Sequence, residues 1–174
     1  MSYQIGYIDI FKPLIPEIPV VLVIGISLLF LLYKENKENI KHAKIGLLIF
    51  TVTVSSVTIL LASQVGSGWT LEGNNLRVKA FETRNIQLSE TEIDLVDIKG
   101  QWQLGRKRVG YNSGDLHFGF FYLKNEKSAI VFQHLASPKM LVILFNNEYI
   151  VLSHPGIENL YNELLSRGVL SRPQ

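Results

Sequence analysis

The sequence predicts a membrane-embedded helical hairpin followed by a mostly-β domain closed by one helix. Three observations carry this reading. Two N-terminal runs are uncharged and long enough to cross a bilayer. The rest of the chain is a series of short strand patterns divided by glycine and asparagine turns. The last ordered stretch repeats apolar residues at helical spacing. Composition agrees. Of 174 residues, 47% are hydrophobic and 18% are charged, against about 25% charged in an average soluble domain. The apolar excess sits in the N-terminal third, which excludes a simple cytosolic enzyme and a disordered chain.

The first predicted helix spans about 13–33 and the second about 45–63, with a loop at 34–44. No charge falls between Ile18 and Tyr33 or between Ile45 and Ser63. Runs of this length match a hydrocarbon core of about 30 Å. Pro13, Pro16 and Pro19 open the first helix, where a missing N–H costs least, and Glu17 falls at the interface. The start, with Asp9 and Glu17 against Lys12, is not basic, and with the second span close behind this favours a hairpin over a cleaved leader. The loop carries Lys34, Lys37, Lys41 and Lys44, and lysines near helix ends stay cytoplasmic. This places the loop inside and predicts a two-pass plasma-membrane protein with its C-terminal domain extracytoplasmic. Thr51, Ser55 and Thr58 share one face of the second helix. With Gly25 and Ser27 opposite, they are the expected packing surface, since small and hydroxylic residues let membrane helices approach.

A Gly-Ser linker at 64–68 leads to the β domain at 69–168, followed by a tail at 169–174. Trp69–Glu72 and Leu76–Phe81 flank Gly73-Asn74-Asn75, a hairpin signature. Arg84–Leu88 reads as a third strand. Ser89 and Glu92 have capping-box spacing, so a helical turn is expected before a strand at 95–98. Gly100–Asp115 reads as a basic, glycine-rich loop. Four apolar strand patterns follow, with turns at Asn125-Glu126 and Asn146-Asn147. Ser153 is the expected N-cap of the last helix, with Pro155 in its first turn. Ile157, Leu160, Tyr161, Leu164 and Leu165 form one apolar face, and Gly168 is a left-handed stop.

Several of these features carry a resemblance. They are the basic Arg108 with Gly110-Tyr111 and Gly114, the Lys124-Asn125 turn, and Ser153 with Pro155 leading into a helix. Over residues 68–167 this pattern resembles the bacterial pleckstrin-homology-like domain family, which also places two membrane helices before the domain. The resemblance implies a bent barrel of about seven antiparallel strands capped by one C-terminal helix, and no assigned biochemical activity.

Chemistry-bearing motifs are few. The chain has no cysteine, hence no disulfide framework or thiolate nucleophile. The four histidines lack zincin spacing. His117 and His134 lie on neighbouring predicted strands with no third ligand in view, so no metal or cofactor is expected. A net charge of +2 gives no footprint for nucleic acid. The sharpest surface feature is Arg106-Lys107-Arg108 framed by Trp102 and Tyr111, a set suited to a phosphate, a lipid head group or an anionic polymer. The expected function is therefore a bilayer-anchored, non-enzymatic binding module for a protein or an anionic envelope component. The alternative is a small membrane subunit acting through helix assembly with itself or a transporter.

Overall fold

A computed structural model describes residues 1–34, 37–135 and 137–171. The chain divides into two units, one helical (residues 7–65) and one of β-structure (residues 1–6 with 66–174).

The helical unit contains α1 (Tyr7–Phe11), a 3-10 segment (Lys12–Glu17), α2 (Ile18–Lys34) and α3 (Lys37–Ala62). The prolines explain the late start of α2. Pro13 and Pro16 lie in the 3-10 segment, and each removes a donor that a regular α-helix would need. The 17 residues of α2 rise about 26 Å and the 26 of α3 about 39 Å. Among the described residues one helical stretch, Lys44–Ala62, is long and apolar enough by itself to cross a membrane, and Leu14–Phe30 is a shorter apolar stretch.

The expected loop at 34–44 is mostly helix. Lys34 ends α2, while Lys37, Lys41 and Lys44 fall on α3; Glu35 and Asn36 lie outside the described residues. Lysine, glutamate and alanine are good helix formers, and no glycine or proline interrupts them. The helices meet at glycine notches. A Cβ on Gly25 would lie 3.4 Å from the Phe50 ring, and one on Gly46 3.4 Å from Leu28. Thr51, Ser55 and Thr58 are exposed, and Thr58 donates back to the Val54 carbonyl at 2.8 Å.

Among the described residues the β unit holds eleven strands and one α-helix: β1 (Ser2–Gln4), β2 (Gly68–Glu72), β3 (Asn75–Ala80), β4 (Glu82–Gln87), β5 (Thr91–Asp97), β6 (Leu104–Ser113), β7 (Leu116–Leu123), β8 (Ser128–His134), β9 (Lys139–Phe145), β10 (Glu148–Ser153), α4 (Ile157–Ser166) and β11 (Leu170–Ser171). One sheet has the order β1-β2-β3-β4, the other β11-β5-β9-β10-β8-β7-β6. The sequence reading of about seven antiparallel strands thus differs in number and in direction. After β8, the β9–β10 hairpin folds back so that β10 lies between β8 and β9, parallel to β8. The short β11 is parallel to β5; it takes up part of the expected tail, and residues 172–174 lie outside the described residues.

Two further segments depart from expectation. Residues 2–4, read as a flank of the helices, pair antiparallel with β2. The basic segment, read as a loop, is the ten-residue strand β6. It pairs with β7 through register shifts around Lys107 and a glycine pair. Gly110 and Gly119 are Cα partners with φ of +134° and +122°, and a Cβ on either would stand within 2.3 Å of the opposite backbone oxygen. Only glycine permits that approach.

The seven-stranded sheet packs an apolar cluster against one face, with Trp102, Phe121, Val131, Met140 and Val151 at its centre. Helix α4 lies against β5 and β9, burying Ile157, Leu160 and Leu164. The Gly168 stop (φ +82°) holds, and of the predicted apolar face Ile157, Leu160 and Leu164 are buried, while Tyr161 is half-buried and Leu165 is exposed. The cap does not hold: Ser153 ends β10 and donates to the Lys139 carbonyl at 3.1 Å, and Gly156 (φ +83°) precedes the helix.

Candidate functional site

The predicted basic site lies on the edge strand of the larger sheet, because β6 has a neighbour on one side only. An open edge invites pairing with other chains, and bulges and charges are the usual defence. β6 has both, with its register shifts and three consecutive cations. This favours a surface that binds through side chains over one that adds a strand.

The structure brings Arg106 and Arg108 together. Both guanidinium groups lie over the ring of Tyr122, at 5.5 and 5.3 Å from its centroid. Arg108 also donates to the Ser128 hydroxyl at 3.1 Å. Such stacking holds each cation in place for about 0.5–1 kcal/mol at an exposed site and leaves N–H groups for a ligand. Lys107, the register partner of Phe121, is exposed between them.

Trp102 and Tyr111 are not joined to that pair. Trp102 is 8% exposed and belongs to the apolar cluster. Its ring meets Tyr149 at 5.3 Å, and the Lys127 ammonium sits over both rings, 5.2 Å from Trp102 and 4.6 Å from Tyr149. Tyr111 stacks on Phe118 at 5.2 Å, with its hydroxyl buried, so it is a packing residue rather than a second rim.

The strip therefore consists of Arg106, Lys107 and Arg108 with Lys124 and Lys127 from the β7–β8 turn. Among the described residues none of these five cations has an ion pair. Lys124 instead donates to the Gln103 side chain at 3.2 Å and Lys127 to the Tyr149 hydroxyl at 2.8 Å; Glu126 is the one acid in the turn between them. Arg84 shows the contrast, held between Glu82 (2.7 Å) and Glu148 (3.1 Å). Sequence reasoning missed Tyr122, Lys127 and Tyr149. The signal was the pairing of β6 with β7, hidden once β6 was read as a loop.

His117 and His134 do not face each other. His117 is in register with Gln133, and His134 with Leu116, so the two side chains leave opposite faces of the sheet. In the helical unit, a groove of about 870 Å³ runs between residues of α1, α2 and α3 and is almost wholly apolar apart from Lys12, Glu17, Thr53 and Thr58. In comparisons with known proteins, no family model, no curated protein and no solved structure matches the chain.

Proposed function

We propose that the protein is a two-pass, membrane-anchored, non-enzymatic binding module of pleckstrin-homology-like type, whose β domain engages an anionic envelope component. The observation that carries the ligand class is the strip of five cations that have no ion pair among the described residues, two of them held over Tyr122 and one over Trp102 and Tyr149. Guanidinium groups fixed on rings are suited to bidentate contact with phosphate or carboxylate.

Chain connectivity supports the two-pass anchor. The chain leaves the β unit after Gly6 and re-enters it at Gly66, and β1 and β2 are hydrogen-bonded neighbours. Both ends of the helical unit therefore join the same β unit. That pairing supports two crossings, by α2 and α3, over a single crossing by α3. The lysines between the apolar runs then put the β domain outside.

The test uses the full chain in zwitterionic nanodiscs, with fluorescent poly(glycerol phosphate) as probe and neutral dextran as control. Binding of the polyanion that weakens with salt, and falls about tenfold or more in Arg106→Ala/Arg108→Ala, supports the reading. Equal binding of dextran, or an unchanged double variant, overturns it.

A further inference from the structure

The larger sheet carries a second polar feature that the basic strip does not use. Asn112, His117 and Gln133 are successive register partners across β6, β7 and β8. Register partners project to the same face about 5 Å apart, so the three side chains form one row. They share a face with Phe121 of the apolar cluster, and His117 meets Phe121 edge-on at 6.5 Å and 88°. Arg106 and Arg108 lie on the opposite face, over Tyr122. In front of the row is a cleft of about 360 Å³, bounded also by Lys99, Gln103 and Phe121. That is within the usual span for ligand pockets, about 300–1,000 Å³.

The chemistry of this cleft differs from that of the strip. Among the described residues no carboxylate lines it. Asn112, Gln133 and Gln103 are carboxamides, each able to donate and to accept. Nδ1 of His117 is shielded from solvent and has no hydrogen-bond partner among the described residues, and such an atom carries a desolvation cost until it is met. Burial pushes the His117 pKa below 6.5, although Asp115 opposes it, so the ring is neutral at pH 7 and one nitrogen bears the proton. If Nε2 bears it, Nδ1 needs a donor; if Nδ1 bears it, Nδ1 needs an acceptor. A hydroxyl group meets either need. A carboxylate or a phosphodiester meets only the second. The carboxamides on both sides make the same two-way demand, while Phe121 offers an apolar wall for C–H groups.

We infer that the Asn112–His117–Gln133 row is a binding site for a small neutral polyhydroxylated ligand, a sugar residue or polyol. The site lies on the opposite face of the sheet from Arg106 and Arg108 and touches the strip only through Gln103, which accepts from Lys124.

The test is ring-¹⁵N histidine NMR of the full chain in zwitterionic nanodiscs, which avoids sugar-headed detergents. The chain has four histidines, so His117 is assignable by a single substitution. The probes are glucose, N-acetylglucosamine and myo-inositol, with inorganic phosphate as the comparison. The expected result is a saturable shift of the His117 nitrogens with at least one of the three, His154 unchanged. Asn112→Ala and Gln133→Ala should each weaken it about tenfold, the equivalent of about 1.4 kcal/mol. Asn112 is exposed, so its variant tests the row without disturbing the core. A His117 shift with phosphate alone, no saturable shift with any of the three up to their solubility, or full affinity in Asn112→Ala would each overturn the inference.

Discussion

The indole N–H of Trp69 donates a 2.9 Å hydrogen bond to Nε2 of His154. Indole can only donate, so that nitrogen carries no proton. The proton is on Nδ1, 2.9 Å from the Pro155 carbonyl, which can only accept. His154 is 3% exposed, and this arrangement fixes it as a neutral ring in one tautomer. Tyr3 lies flat on it, centroids 3.8 Å apart at 9°, with its hydroxyl 2.8 Å from Nδ1 of His134. A single buried stack thus ties strand β1 to β2 and to the end of β10.

The first prediction concerns pH. Protonating His154 breaks the Trp69 bond and buries a cation. Burial lowers its pKa from 6.5, His134 nearby lowers it further, and the Pro155 carbonyl and Glu158 oppose this. In the unfolded chain the ring takes up a proton near 6.5. Between that value and the lower folded one, the unfolded state holds more protons, so stability rises with pH. The contribution is complete above about 6.5 and is lost as pH falls below it. Unfolding of the full chain by urea, followed by tryptophan fluorescence, should show a midpoint that drops on acidification from about pH 7.5 to 5.5, and less so in His154→Phe. A midpoint that fell equally in His154→Phe would assign the effect elsewhere.

The second concerns Tyr3. Tyr3→Phe keeps the stack and removes the bond to His134, a loss of about 1 kcal/mol. Tyr3→Ala removes the ring as well, for a loss of about 3 kcal/mol. Its effect should be local. Amide exchange should quicken at Gly68–Thr70, which pair with β1, and stay unchanged in β8–β10. Unchanged protection of β2 in Tyr3→Ala would show that β1 is held by its backbone bonds alone.

A third prediction separates two kinds of glycine. Gly73 has φ +53° with nothing near its missing Cβ, so Gly73→Ala should cost only about 1 kcal/mol of backbone strain. Gly110 and Gly119 combine positive φ with backbone contacts under 3 Å. Alanine at either should cost about 3 kcal/mol or more and separate β6 from β7. Thermal unfolding of the three variants should rank Gly73→Ala far above the other two. Comparable midpoints would mean that β6 and β7 open without penalty.

The parts of this fold legible in the sequence are those set by neighbours in the chain. The Gly73-Asn74 turn and the Asn146-Asn147 turn (φ +48° and +63°) lie where turn chemistry put them. So does α4, whose apolar spacing and Gly168 stop are local. The illegible parts depend on distant partners. Strand β1 is three residues long, and its anchor is His154, far along the chain. β6 looked like a loop because it is basic and glycine-rich; its glycines serve the close approach to β7. The insertion of β10 beside β8 leaves no trace in periodicity, since a parallel and an antiparallel strand alternate alike. The candidate site shared this fate. Its cations were visible, but the Tyr122 ring beneath two of them followed only from the pairing.

The last prediction tests the anchor, and the absence of cysteine makes it clean. Single cysteines at Ser2, His42 and Asn74, all exposed positions, are probed in intact cells with a membrane-impermeant maleimide. Because β1 and β2 are paired, Ser2→Cys and Asn74→Cys should react from the same side. With the lysine-bearing segment inside, His42→Cys should react only after permeabilisation. The outcomes separate two claims. If Ser2→Cys and Asn74→Cys react together but from within, and His42→Cys from without, the two-pass anchor stands and its orientation is inverted. The cations of β6 would then face the anionic inner leaflet, where each lysine or arginine near the surface contributes about 1 kcal/mol. If Ser2→Cys and Asn74→Cys react from opposite sides, β1 cannot pair with β2 in the membrane, and the stack of Tyr3 on His154 cannot form there.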